Sequence, residues 1–226
     1  MYYSWLNIFK GRLITTCFNL YCQKVDKIVE KVNLLLENGN YDAALKLVDK
    51  VISKSKLPAN NPKYFLFRAS VYTAKKDTIN AINDLNKTIE LDSNIINAYF
   101  LRGCMNNSIN DLNKVIEKDK EHSSAYIQRA EIYYNQKEFI KAYADFSKAL
   151  NLKNVELVQN SKFYTIDKLK SLKASISECY FKRGRVNMKL NDYQNSIFDF
   201  EKSLKLDSLN ESSYINIALN YEQLKE

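Results

Sequence analysis

Two helical patterns of similar length, separated by one short polar break, occupy Ser123 to Asn154 and constrain this chain more than any other stretch. The first runs Ala125 to Tyr134 and the second Phe139 to Leu150. In both, apolar residues recur every three to four positions, which is the helical period. Ala130 and Ala142 are small where two helices would cross closely, while Tyr126, Tyr133, Phe146 and Leu150 are bulky around that crossing. The stretch reads as a helical hairpin.

The same positions carry a resemblance to the tetratricopeptide repeat (TPR), a 34-residue unit with a small residue at its eighth position, an aromatic at the eleventh, and Ala, aromatic, Ala at the twentieth, twenty-fourth and twenty-seventh. Here those are Ala130, Tyr133, Ala142, Phe146 and Ala149. The resemblance covers residues 25–226: repeats at 25–58, 62–95, a shortened 96–122, 123–156 and 177–210, then a terminal helix at 211–226. It implies an all-α fold, a right-handed α-solenoid of about five helical hairpins with N- and C-terminal capping helices. Composition agrees, because two prolines and four glycines leave few turn formers for an all-β chain.

The chain departs from the family pattern in three places. Repeat 96–122 lacks seven positions around its central turn, close to two helical turns. Ser108 and Asp111 form a start signal for its second helix, which predicts a stubby hairpin. The family's proline near the unit's end is replaced by Ser93, Lys120, Asn154 and Ser208. An insertion, 157–176, has no counterpart elsewhere; Leu157 to Tyr164 reads as a mobile loop, and Ile166, Leu169, Leu172, Ile176 and Tyr180 predict one long helix from about Ile166 to about Leu190.

The formal charge is +8, from 34 basic and 26 acidic residues. Residues 1–24 carry Lys10, Arg12 and Lys24 with no acid, and the insertion carries Lys162, Lys168, Lys170 and Lys173 against Asp167. The body is close to neutral, a poor match to a nucleic-acid channel, which needs phosphate-neutralising charge along the binding face. Residues 1–24 place Leu6, Phe9, Leu13, Cys17 and Tyr21 at helical spacing, as an amphipathic segment. Three readings stay open for it: a cap on the first repeat, a targeting or membrane-surface segment, or a disordered leader. Its uncharged run is too short to span a bilayer.

Catalysis finds no support in the residues. There is no Gly-rich phosphate loop, His122 is the only histidine, and Cys17, Cys22, Cys104 and Cys179 show no CxxC spacing. No cofactor or metal site is expected, and the thiols read as buried or half-buried and free. The resemblance implies an interaction scaffold instead, whose concave surface, built from first helices, receives a partner protein or peptide. The two-carboxylate clamp by which some TPR proteins grip chaperone tails needs paired cations that no frame of this chain supplies.

In that family the fifth position of each first helix points into the groove, and here the series reads Val29, Leu66, Phe100, Ile127, Phe181 and Ile215. Neighbouring positions add Phe67, Leu101, Tyr134 and Met188, with Asn97, Gln128, Glu131, Lys182 and Arg185 as polar punctuation. A second series pairs Arg68, Arg102, Arg129 and Arg183 at position seven with Asp84, Asp111, Asp145 and Asp199 at position twenty-three. Their co-occurrence predicts an Arg–Asp bridge inside each of four hairpins. The expected protein is thus a cytoplasmic adaptor of unspecified oligomeric state; the alternative is an organelle-targeted or peripheral membrane assembly factor using residues 1–24 and the Lys-rich insertion.

Overall fold

The computed structural model describes residues 27, 28, 30–54 and 61–225, and every regular element among them is helical. Residues 1–24 with Cys17 and Cys22, the groove candidate Val29, and the end of the first repeat at Pro58 lie outside the described residues. Helix α1 covers 30–37, followed by α2 (Tyr41–Lys54), α3 (Pro62–Ala74), α4 (Thr78–Leu91), α5 (Ile96–Asn106), α6 (Ile109–Lys118), α7 (Ser123–Asn135), α8 (Phe139–Asn160), α9 (Ile166–Lys189), α10 (Tyr193–Leu206) and α11 (Glu211–Gln223). The chain divides into two compact units, one up to Ala98 and one from Tyr99 onward.

Each hairpin turns by the same device. One residue adopts a left-handed conformation: Gly39, Lys76, Asn107, Lys137 and Asn191, with φ from 49° to 67°. The residue after it donates its N–H back five positions, Asn40 to Leu35, Asp77 to Tyr72, Ser108 to Gly103, Glu138 to Tyr133 and Asp192 to Asn187, at 2.8–2.9 Å. This satisfies a terminal carbonyl of the first helix. The donor then opens the second helix: the side chains of Asp77, Ser108 and Asp192 accept the N–H groups of Asn80, Asp111 and Asn195. One residue therefore ends one helix through its backbone and starts the next through its side chain.

The second helices stop on aspartate. Asp92, Asp119 and Asp207 accept the N–H groups of Asn94, Glu121 and Leu209, a local turn that closes α4, α6 and α10 without the family's proline. The equivalent position in the fourth hairpin is Lys153, which cannot accept. There α8 runs on for 22 residues to Asn160, and a 3-10 turn at Ser161–Phe163 leads into the 24-residue α9. This corrects the expected loop at Leu157 to Tyr164: the stop signal is missing, so the helix continues. Lys153 itself is buried, and burial pushes its ammonium below the ordinary lysine range.

Crossing points carry the small residues. In the second unit Ala130, Ala142, Ala149, Phe146, Leu150 and Val186 share one core with Leu172, Ile176 and Cys179, so the insertion's apolar residues extend that core rather than forming a separate one. In the first unit Val32, Ala44, Val48, Tyr64 and Val71 pack together. The shortened hairpin has helices of 11 and 10 residues, against 13 and 14 for α3 and α4.

Candidate partner-binding face

The arginine at position seven organises each hairpin. Arg68, Arg102, Arg129 and Arg183 each present Nε and Nη2 to the two oxygens of Asp84, Asp111, Asp145 and Asp199, at 2.6–2.9 Å. Two parallel bonds of this kind fit the planar guanidinium to the carboxylate. An aromatic three residues earlier, Phe65, Tyr99, Tyr126 or Tyr180, lies under the cation with its ring centre 5.6–5.7 Å away. Hydrogen bonds to the carboxylates raise Arg68, Arg102 and Arg129 above the ordinary arginine value. At Arg183 burial works the other way, and the pairing with Asp199 outweighs it. Asp199 is 1% exposed, and burial lifts its carboxyl although Arg183 opposes the shift.

The remaining guanidinium nitrogen reaches the preceding hairpin. Arg68 Nη1 meets Asp49 at 2.7 Å, Arg129 Nη1 meets Asn113 at 2.6 Å, and Arg183 Nη1 meets Ser147 at 3.1 Å. Asp49, Asn113 and Ser147 occupy position twenty-five of their repeats, a correspondence that the sequence carries but that spacing within one hairpin does not reveal. Each of these bonds joins two hairpins of one unit.

In the second unit, polar side chains of α7 and α9 also meet. Lys182 forms an ion pair with Glu131 of α7 and a second with Glu178 one turn back at 3.3 Å. Burial tends to lower the Lys182 ammonium, yet the two carboxylates carry it above its usual range. Arg185 is exposed, with its guanidinium 4.9 Å from the centre of the Tyr134 ring and Nη2 3.3 Å from the hydroxyl. Gln128 is half-buried beside them in sequence, one residue before Arg129.

The apolar series is less open than its spacing suggests. Phe100 is half-buried against His122, with ring centres 4.8 Å apart and the planes tilted by 42°. Phe181 is half-buried against Phe200 at 5.5 Å, and Ile127 packs on the core of the unit. Leu101 is also half-buried, whereas Ile215 on α11 is 62% exposed. On α3 of the first unit Leu66 and Phe67 are both half-buried. Part of Phe100, Ile127 and Phe181 is thus already used within the fold, while Ile215 is left open. Sequence spacing gives His122 no such ring contact; its Nδ1 also accepts the N–H of Ala125 and so caps α7.

Cys104 and Cys179 are free thiols, and among the described residues no group of three His, Cys, Asp or Glu side chains is placed to hold a metal ion. No helix among the described residues is long and apolar enough to cross a membrane.

Models of the tetratricopeptide repeat match residues 123–155 and 177–210. No curated protein matches the chain. Among solved structures, MamA (residues 41 to the end) from Desulfovibrio magneticus RS-1 is 16% identical with a TM-score of 0.64, over 81% of this chain and 95% of its own. YrrB, a TPR protein with an unusual peptide-binding site, is 12% identical with a TM-score of 0.59, over 83% and 88%. A thermophilic TPR protein of Thermus thermophilus, TTC0263, is 13% identical with a TM-score of 0.55, over 87% and 98%. These likenesses place the chain among α-solenoids.

Proposed function

The chain is a tetratricopeptide repeat protein, a fold of the protein-interaction kind, and from that premise we propose that the α7–α9 face of its second unit receives a segment of a partner protein. The observation that carries the reading is the cross-helix pairing of Glu131 with Lys182 and of Tyr134 with Arg185, which gathers polar groups of two consecutive first helices onto one surface. Gln128 and Arg185 supply hydrogen bonds to the segment, and the open parts of Phe100, Leu101, Ile127, Phe181 and Ile215 supply apolar contact. Leu66 and Phe67 are the corresponding residues of the first unit. Half-buried rings offer limited new area, so binding on the order of micromolar is expected once association costs are subtracted. An extended or helical segment with alternating apolar and polar residues fits such a surface. The fold class supports a binding role rather than an enzymatic one.

The test is selection from a random peptide library on the immobilised full chain, followed by binding to a variant carrying Gln128→Ala and Arg185→Glu. Enriched peptides should lose at least about tenfold in affinity for that variant while its helix content is unchanged. Equal binding to both proteins would move the site away from this face. Aspartate at Phe100 or Ile127 is not a clean probe, because both side chains also pack within the fold.

A further inference from the structure

The tip of the α8–α9 hairpin combines bare apolar side chains with four exposed lysines. Val158 on the last turns of α8 is 80% exposed, Phe163 in the 3-10 turn 84%, and Ile166 at the start of α9 86%. Exposure at that level for an aromatic and two aliphatic residues within one turn region is costly in water, and nothing in the core uses them. The turn itself is well made: Tyr164 donates to Glu156 at 2.8 Å, and Thr165 accepts the N–H of Lys168 to cap α9. The three side chains are therefore displayed by ordered structure.

The tip also reaches past the end of its neighbour, with Ile166 and Lys170 lining an open cleft against Leu206 and Asp207. Ser177 of α9 bonds Ser203 of α10, and from there α10 ends at Leu206 while α9 continues outward to Ile166. At 1.5 Å per residue α9 overhangs by about 12 Å. Lys162, Lys168, Lys170 and Lys173 are all exposed around this overhang. The acids nearby are Asp167 on the same helix and Asp207 just past the end of α10, while Glu156 is engaged by Tyr164.

We propose that this tip is a membrane-docking element that inserts Phe163, Ile166 and Val158 among the acyl chains of an anionic lipid surface while its lysines hold the headgroup phosphates. Lysines attract the anionic leaflet, and an aromatic with two aliphatics gives depth that charge alone does not. A nucleic acid would meet the same lysines but leave Val158 and Ile166 in water. An overhang of about 12 Å is long enough for an interfacial insertion of roughly 5–10 Å. The N-terminus of α9 points its partial positive charge toward the same headgroups.

The experiment is co-sedimentation of the full chain with phosphatidylcholine vesicles, with and without phosphatidylserine. Every variant keeps residues 1–24, so their contribution is constant across the set. Binding should require phosphatidylserine and fall at least about tenfold for Lys168→Glu with Lys170→Glu. It should fall about as far for Phe163→Ser with Ile166→Ser, and be retained by Phe163→Trp. Unchanged helix content by circular dichroism shows that each variant is folded. Absence of vesicle binding, or binding that all the tip variants retain in full, overturns the proposal. Loss on charge reversal without loss in the serine variant also overturns it, because the lysines alone would then adsorb the chain and no side chain would be inserted.

Discussion

Arg183 of α9 donates to Ser147 of α8 at 3.1 Å while its other two nitrogens hold Asp199 of α10, so one side chain joins three helices. Asp199 has no water to fall back on, although Asn187 Nδ2 adds a bond at 3.0 Å. Replacing Arg183 by alanine strands a buried carboxylate and should cost about 3 kcal/mol, more than removing a surface pair would. Arg183→Ala combined with Asp199→Asn should recover part of that loss, because no charge is left uncompensated. Urea denaturation of the three proteins measures it; equal stability of Arg183→Ala and the parent would show that the fork contributes nothing.

Gly184 and Gly103 occupy equivalent positions but differ in what a methyl group would meet. At Gly184 an added Cβ lies 2.9 Å from the fully buried ring of Phe200, which has nowhere to move. At Gly103 the nearest atom is on Leu112 at 3.1 Å, a smaller intrusion. Alanine gains about 1 kcal/mol of helix propensity in either place. Gly184→Ala should be net destabilising by about 1–2 kcal/mol, and Gly103→Ala close to neutral. Thermal melts of the two single variants decide this, and a reversed order would contradict it.

Lys137 turns between α7 and α8 with φ of 62°, a conformation that a side chain disfavours and glycine accepts. Lys137→Gly should stabilise by up to about 1 kcal/mol, and Lys76→Gly, at φ of 61°, should behave alike. Gly39→Ala, at φ of 67° with open space around it, should lose stability through backbone strain alone. Chemical denaturation midpoints check the signs.

Burial pushes the Cys179 thiol up to about 12, and its Sγ faces the Phe146 carbonyl at 3.7 Å. Cys104 is half-buried and its thiol is raised by burial as well. At mildly alkaline pH Cys179 should react with an aromatic disulfide reagent only after unfolding. The mass of peptides labelled under native and denaturing conditions reads this directly; fast native labelling of Cys179 would contradict its placement.

Hairpin periodicity was legible because helix faces repeat every three to four residues, and the arginine–aspartate register was legible because two charges recur at a fixed separation. The handedness of the turns was not, since lysine at Lys76 and Lys137 carries no glycine signal and the strain is supported by the flanking backbone bonds. The overrun of α8 had a readable cause, Lys153 standing where Asp92, Asp119 and Asp207 stop their helices, but it emerges only when the repeats are compared at that one position. The partial burial of Phe181 could not be read from spacing along α9, because its neighbour Phe200 belongs to another helix.

Helix α9 is continuous from Ile166 to Lys189, so the lysine-bearing tip and the residues Lys182 and Arg185 are parts of one rod. Between Lys168 and Lys182 the rod spans about 21 Å at 1.5 Å per residue. A helix of this length acts as a ruler: whatever sits beneath the tip and whatever lies across the α7–α9 face are kept at a fixed separation. A proline at Ala174 would break the ruler between Lys173 and Lys182, and the separation of the two ends would be the first property to register it.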